Sequence, residues 1–271
     1  MTRARRLAAA AVLAAIAAAT PAAKAQTEAQ TYACTDRAAG LARLSLPLPR
    51  MHRLLAARQP VTVMALGSSS TAGAGASSEA ASYPMRLQEE LRRRFPGIAV
   101  TVVNRGVNGE EAADMLQRFD LAALSDAPDV VLWQFGTNSV LRNDRSDAET
   151  VRLITDGLLR MKALGVDVVL IDPQFAPSVL ARRGAAERMV DAIAAASRRR
   201  GVDRFPRFQV MREWHEAEAI PFDRFLVGDL LHMSDWGYAC FARLLGAAMA
   251  EAATRPETGT ATAPGPEPPG R

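Results

Sequence analysis

The chain has 271 residues, 33 of them basic and 29 acidic, and 49% are apolar. That is enough for one α/β domain with a well-filled core. Four of the basic residues, Arg3, Arg5, Arg6 and Lys24, fall in a segment read below as a removable leader, so the remainder is formally neutral and has no electrostatic case for a nucleic-acid partner.

The leader comes first. Arg3, Arg5 and Arg6 give a basic start, residues 7–19 are almost wholly apolar, and Ala23-Lys24-Ala25 has the small-x-small form of a cleavage site. Residues 1–25 therefore read as a secretory signal peptide. The apolar run is too short for a membrane span. An exported protein is expected, periplasmic or secreted, with no stable membrane span after cleavage; the alternative is an uncleaved N-terminal anchor. The chain has two cysteines, Cys34 and Cys240. Two isolated thiols do not suit a metal site, which needs more ligands at close spacing. In an oxidising compartment they are expected to close a disulfide between the N-terminal arm and the last helix. The alternative is two unpaired, buried small residues.

Residues 26–55 read as a polar arm ending in a short apolar, Pro-punctuated stretch, and residues 56–254 as the domain proper. Val61–Leu66 is the first strand. Ser82-Tyr83-Pro84 marks a helix start with proline in the first turn. Leu87, Leu91 and Phe95 follow on one helical face, and Pro96-Gly97 ends it. Residues 98–104 form a second strand and residues 110–124 a helix. Residues 130–135 form the third strand, with Trp133 and Phe135 as core side chains. Val151, Ile154, Leu158 and Met161 mark a helix that stops at Gly165. Residues 166–171 are the fourth strand, closed by Asp172-Pro173. Met189, Val190 and Ile193 face one side of the next helix. The apolar piece Phe208–Met211 is expected to be a fifth strand. Tyr238, Phe241 and Leu245 share a face of the final helix. Strand and helix alternate throughout, so the sheet should be mostly parallel with helices on both faces. Residues 255–271, rich in Pro, Gly, Thr and Ala, read as a disordered tail.

The first strand breaks into Gly67-Ser68-Ser69-Ser70-Thr71, which puts serines at the carboxyl edge of the sheet, where open α/β sheets build their sites. Ser69 is the candidate nucleophile, and a serine hydroxyl needs a base to take its proton. There are three histidines. His52 lies among arginines and is expected to face solvent. His215 lies in a polar stretch read as a solvated helix face. His232 alone has an acid at a useful spacing, Asp229, whose carboxylate can hold one ring nitrogen while the other faces Ser69. Oxyanion donors are expected from the Ser69 N–H, from Gly106 after the second strand, and from the Asn138 side chain after the third. Taken singly, these pieces read as a polar loop, a surface turn, a turn glycine and a helix cap. Their occurrence together at one sheet edge points to nucleophilic catalysis.

Four segments carry a resemblance. Gly67-Ser68-Ser69-Ser70, Asn104-Arg105-Gly106-Val107-Asn108-Gly109, Gly136-Thr137-Asn138 and Asp229-Leu230-Leu231-His232 (followed by Gly237-Tyr238) look like the sequence blocks of the SGNH hydrolases, the GDSL-type esterases and lipases. The likeness runs over about residues 61–250. The chain departs from the family's pattern in three places. Ser68 stands where the family usually has Asp, Ser70 where it has Leu, and Ser139 where it has Asp. None is a proton-transfer position. The resemblance implies a three-layer α/β/α sandwich with a five-stranded parallel sheet. It also implies hydrolysis of carboxylic esters or thioesters, O-acetyl esters included, by a Ser69–His232–Asp229 triad without metal or cofactor. Asn138 and Gly106 would be oxyanion donors. The absence of Gly-x-Ser-x-Gly argues against the α/β-hydrolase elbow. Activity is expected to fall as His232 protonates. The expected partners are small-molecule, glycan or lipid esters. The alternatives are acyl transfer from the same site, a flavodoxin-like phosphate- or flavin-binding protein in which Ser68–Thr71 and Gly73 cradle a phosphate, and an inactive carbohydrate-binding relative.

Overall fold

A computed structural model describes residue 34 and residues 36–143 and 145–255. The expected leader, the start of the arm and the tail beyond Arg255 lie outside the described residues.

Five strands form one all-parallel sheet: β1 (Val61–Gly67), β2 (Val100–Gly106), β3 (Val130–Gln134), β4 (Asp167–Ile171) and β5 (Asp203–Phe205). Their order is β2-β1-β3-β4-β5. The helices in chain order are α1 (Asp36–Leu41), α2 (Pro49–Ala56), α3 (Ser69–Ala72), α4 (Tyr83–Arg94), α5 (Ala112–Asp126), α6 (Thr137–Arg142) and α7 (Asp147–Ala163). They continue with α8 (Pro177–Leu180), α9 (Arg183–Arg200), α10 (Arg207–Arg212), α11 (Phe222–Phe225) and α12 (Asp235–Thr254). The group α2, α4 and α12 packs together, as does the group α5, α7 and α9, giving the expected α/β architecture. β3 and β4 are buried along their whole length because helices cover both faces, which is why four of the five residues in each are apolar. Among the described residues no helix is long and apolar enough to cross a membrane.

Local signals explain the helix starts. Pro84 lies in the first turn of α4 after Ser82. Ser146 and Glu149 form a reciprocal capping box at α7, satisfying N–H groups that have no intrahelical acceptor. Glu111 and Asp114 do the same at α5.

Two expectations about the fold need correction. The fifth strand is Asp203–Phe205, and Phe208–Met211 lies inside α10. β5 has three residues and pairs with β4 alone, so it carries no apolar run to betray it. The apolar stretch after Pro206 coils instead, and it buries Phe208, Val210 and Met211. His52 is half-buried rather than solvent-facing, and its Nδ1 donates to the Ala253 carbonyl at 2.7 Å.

From Asp36 onward the arm is built into the fold, fastened by aspartates at the amino ends of three strands. The Asp203 carboxylate accepts from the Ser45 hydroxyl at 3.0 Å and the Leu46 N–H at 2.6 Å. Asp167 accepts from the N–H groups of Arg50 and Met51 at 3.2 and 2.9 Å, so it caps α2 from across the molecule. Asp129 accepts from the Thr62 N–H and pairs with Arg50, both at 2.9 Å.

Candidate active site

Strand order reverses between β1 and β3, and open α/β sheets build sites at the carboxyl ends of strands at such a switch. β1 ends at Gly67 and the chain turns at once into α3. The N–H groups of Thr71 and Ala72 return to the Ser68 carbonyl at 3.0 and 2.9 Å. Ser69, at the first helical position, keeps an N–H with no intrahelical acceptor. The turn rests on Gln134, a fully buried side chain at the end of β3. Its Oε1 accepts from the Ser68 N–H at 3.1 Å, the Ser68 hydroxyl at 3.2 Å and the Thr71 hydroxyl at 3.0 Å. The Thr71 oxygen meets the Tyr83 hydroxyl at 3.2 Å. Burial pushes the Tyr83 phenol up to about 12, so it keeps its proton and donates it here.

The second half of the site is the loop between α11 and α12. Asp229 Oδ1 accepts from the N–H groups of Leu231 and His232, both at 2.9 Å, which folds the loop into a tight turn. Leu230 takes a φ of +59° at the crest of that turn, a strained conformation for a non-glycine residue. Asp229 Oδ2 lies 2.6 Å from His232 Nδ1, and His232 Nε2 lies 2.8 Å from Ser69 Oγ. Burial resists ionisation of Asp229, but the hydrogen bonds from the His232 ring and from the two N–H groups outweigh it and hold the carboxyl below the usual range. An ionised carboxylate only accepts, so Nδ1 carries the ring proton and Nε2 is left to accept from the serine hydroxyl. Ser69 is 9% exposed and the His232 side chain 17%, whereas Asp229 is 46% exposed. The hydroxyl is therefore shielded but reachable, and the carboxylate sits at the rim.

Asn138 occupies the first turn of α6. Its Nδ2 donates one hydrogen to the Glu110 carbonyl at 2.8 Å and keeps a second. That bond draws the loop after β2 against α6. Arg142 holds the same loop from the other end of α6, donating to the Gly109 carbonyl at 2.8 Å and pairing with the buried Glu111 at 2.9 Å. Gly106 departs from its expected part. Its N–H is committed to Asn104 Oδ1 at 2.9 Å. It is glycine for another reason: a Cβ there would lie 2.0 Å from the Ala72 nitrogen, so only glycine lets β2 end against α3. In the same loop Gly109 has a φ of +79°, and its N–H has no acceptor among the described residues.

Sequence reasoning missed the glutamines. Gln134 and Gln174 belong to no recognised motif. Their one signal is an amide side chain at or just past the end of an apolar strand. His215 also differs from expectation. It is half-buried, with its ring 3.8 Å from that of Phe222 and its Nδ1 donating to the Ile220 carbonyl at 3.1 Å. Cys240 is buried in α12, and neither cysteine is a free thiol.

Solved structures share this fold. A lipase/acylhydrolase from Enterococcus faecalis is 23% identical, with a TM-score of 0.57 over 70% of this chain and 96% of that one. A variant of an acetyl-xylooligosaccharide esterase from a Geobacillus species is 18% identical, with a TM-score of 0.61 over 70% of this chain and 94% of that one. A two-domain esterase active on acetylated mannans is 19% identical, with a TM-score of 0.64 over 83% of this chain and 58% of that one. No curated protein matches the chain by sequence. The profile of the non-GDSL lipase-like family matches residues 33–255, which takes in every segment described above from β1 to α12. The chain thus belongs to the non-GDSL lipase-like family and is by class an ester-bond hydrolase.

Proposed function

We propose that the chain is an exported serine esterase whose nucleophile is Ser69, with His232 as general base and Asp229 as the orienting acid. The unbroken hydrogen-bonded path from Asp229 through His232 to Ser69 carries this reading. As Ser69 Oγ bonds to the acyl carbon, its proton passes to His232 Nε2 and the carbonyl electrons move onto oxygen. The Asp229 carboxylate stabilises the resulting imidazolium. The oxyanion is met by the Ser69 N–H and the second Nδ2 hydrogen of Asn138. Gly109 replaces Gly106 as the backbone donor from the loop after β2, because its N–H is uncommitted and Asn138 tethers its neighbour. His232 then hands its proton to the departing alcohol. A water molecule, deprotonated by the same nitrogen, attacks the acyl-enzyme and releases the acid.

The substrate proposed is a short acyl ester on a carbohydrate, with O-acetyl first. Two solved proteins of this fold are described by their action on acetylated xylo-oligosaccharides and mannans. A phosphate- or flavin-binding role would leave Asp229 and His232 unused. Fluorophosphonate labelling with peptide mapping tests the nucleophile directly. Modification should fall on Ser69 and vanish in Ser69→Ala; labelling elsewhere, or full p-nitrophenyl acetate hydrolysis by Ser69→Ala, ends the proposal. Acetylated polysaccharides should release acetate, and added glycerol reports whether the acyl group goes to an alcohol instead of water. Export and the Cys34–Cys240 disulfide belong to the same proposal. Exported protein in which both thiols react with a maleimide before reduction would rule the bridge out.

A further inference from the structure

Gln174 follows β4 by three residues and is 1% exposed. One amide group there touches all three segments that hold the proposed reacting groups. Its Oε1 accepts from the Ser70 hydroxyl at 3.3 Å, one residue from Ser69. The same oxygen accepts from the Thr137 hydroxyl at 3.0 Å, one residue from Asn138. Its Nε2 donates to the Leu231 carbonyl at 3.3 Å, one residue from His232. The peptide between Leu231 and His232 is thereby gripped on both sides. Asp229 takes its flanking N–H groups and Gln174 takes its carbonyl. Gln174 is itself held by its neighbour Phe175, whose ring packs edge-on against Phe208 at 5.2 Å and stacks on Phe222 at 6.1 Å.

We infer that Gln174 is a positioning residue that fixes the spacing of Ser69, Asn138 and His232. The inference rests on the reading of those three as the reacting groups. A carboxamide suits the place because it accepts and donates at once. Glutamate would keep the acceptor, lose the donor to Leu231 and bury a charge; methionine would keep the shape and lose every bond. The residue also gives a physical reason for one departure from the family pattern. Where Leu is usual, this chain has Ser70, and the Ser70 hydroxyl is one of the groups that Gln174 binds. The departure at Ser68 has the same form, its hydroxyl and N–H resting on Gln134. In this chain two buried amides at strand ends fasten the nucleophile turn.

The test compares wild type with Gln174→Met and Gln174→Glu by fluorophosphonate labelling rate, kcat and KM on p-nitrophenyl acetate, pH–rate profile and thermal midpoint. A misplacement of about 1 Å costs about 10²-fold in rate. Labelling and kcat should therefore fall by about that factor while KM holds, and the acid limb of the profile should move as the imidazole is released from its fixed place. A residue that served only the core would lower the thermal midpoint and leave the folded protein's labelling rate and pH profile alone. That result overturns the inference. Should the Gln174 variants fail to fold, Ser70→Ala and Thr137→Val each remove one bond and should each slow labelling by roughly threefold to tenfold; wild-type rates in both would overturn it equally. Wild-type protein that is not labelled at Ser69 would instead remove the esterase reading itself.

Discussion

The two ends of the sheet use polar side chains differently. At the amino ends of β3, β4 and β5 stand Asp129, Asp167 and Asp203, each a carboxylate spent on the backbone of another segment. At the carboxyl ends the Ser68–Thr71 turn rests on neutral amides, Gln134 and Gln174, while the buried Asp172 just after β4 is neutralised by Arg204. The difference has a physical logic. A carboxylate makes a strong anchor, but its field reaches neighbouring titratable groups. Neutral amides hold the turn that carries Ser69 without competing with Asp229 for the imidazole. The amino end is built to stay still, and in the proposed mechanism the carboxyl end moves one proton, so variants at the two ends should fail in different measurements.

The largest effect separates them most sharply. Ser69→Ala should lower turnover by about 10⁴-fold or more while the unfolding midpoint stays close to wild type, because the hydroxyl makes one hydrogen bond and fills little space. Turnover surviving in that variant would leave the carboxyl end with no chemistry to contrast. Next, Asn138→Ala should cost about 10²–10³ in kcat with KM little changed, since the proposed mechanism uses the second Nδ2 hydrogen where charge develops and not on the ground-state substrate. An equal loss in KM would make Asn138 a binding residue instead.

The placement of these two residues was legible in the sequence because each sits where an apolar strand gives way to small polar residues. The same rule found β1 to β4. It failed at β5, where Asp203-Arg204-Phe205 has one apolar side chain and borrows its pairing from β4. It failed again at Gly106, because a glycine that admits the Ala72 backbone and one that offers an N–H to a ligand look alike in sequence. His52 and His215 were misread for a related reason. Their neighbours in sequence are polar, but the partners that bury them, the Ala253 carbonyl and the Phe222 ring, belong to other elements. The partner of His52 is 201 residues away and leaves no local trace, while Phe222 lies in the helix after His215 and is brought back by the intervening turn.

A smaller effect belongs to the amino end. Asp129→Ala removes the acceptor of the Thr62 N–H and the partner of Arg50. It should lower unfolding stability by about 1–3 kcal/mol and leave kcat and KM where they are. A loss of turnover without a loss of stability would break the division between the two ends.

The smallest effect is a difference in sign. Burial raises the Asp167 carboxyl above its ordinary value, outweighing the N–H bonds from Met51 and Arg50. Hydrogen bonds lower Asp229 despite its own burial. Unfolded, both titrate near about 3.9. Between that value and its raised folded one, Asp167 holds more proton in the folded state, so its contribution to stability falls as pH rises through that window. Asp229 behaves oppositely. Its contribution is fully present above the unfolded value and is lost as pH falls through the lowered folded one. Urea unfolding across the acid range, with Asp167→Asn and Asp229→Asn each subtracted from wild type, should give differences that slope in opposite directions. The Asp167 slope lies above the ordinary carboxylate value and the Asp229 slope below it. Slopes of the same sign would mean that Asp167 gains more from capping α2 than it loses by burial, and the amino end would then be stabilised by its charge in the same way as the rim of the site.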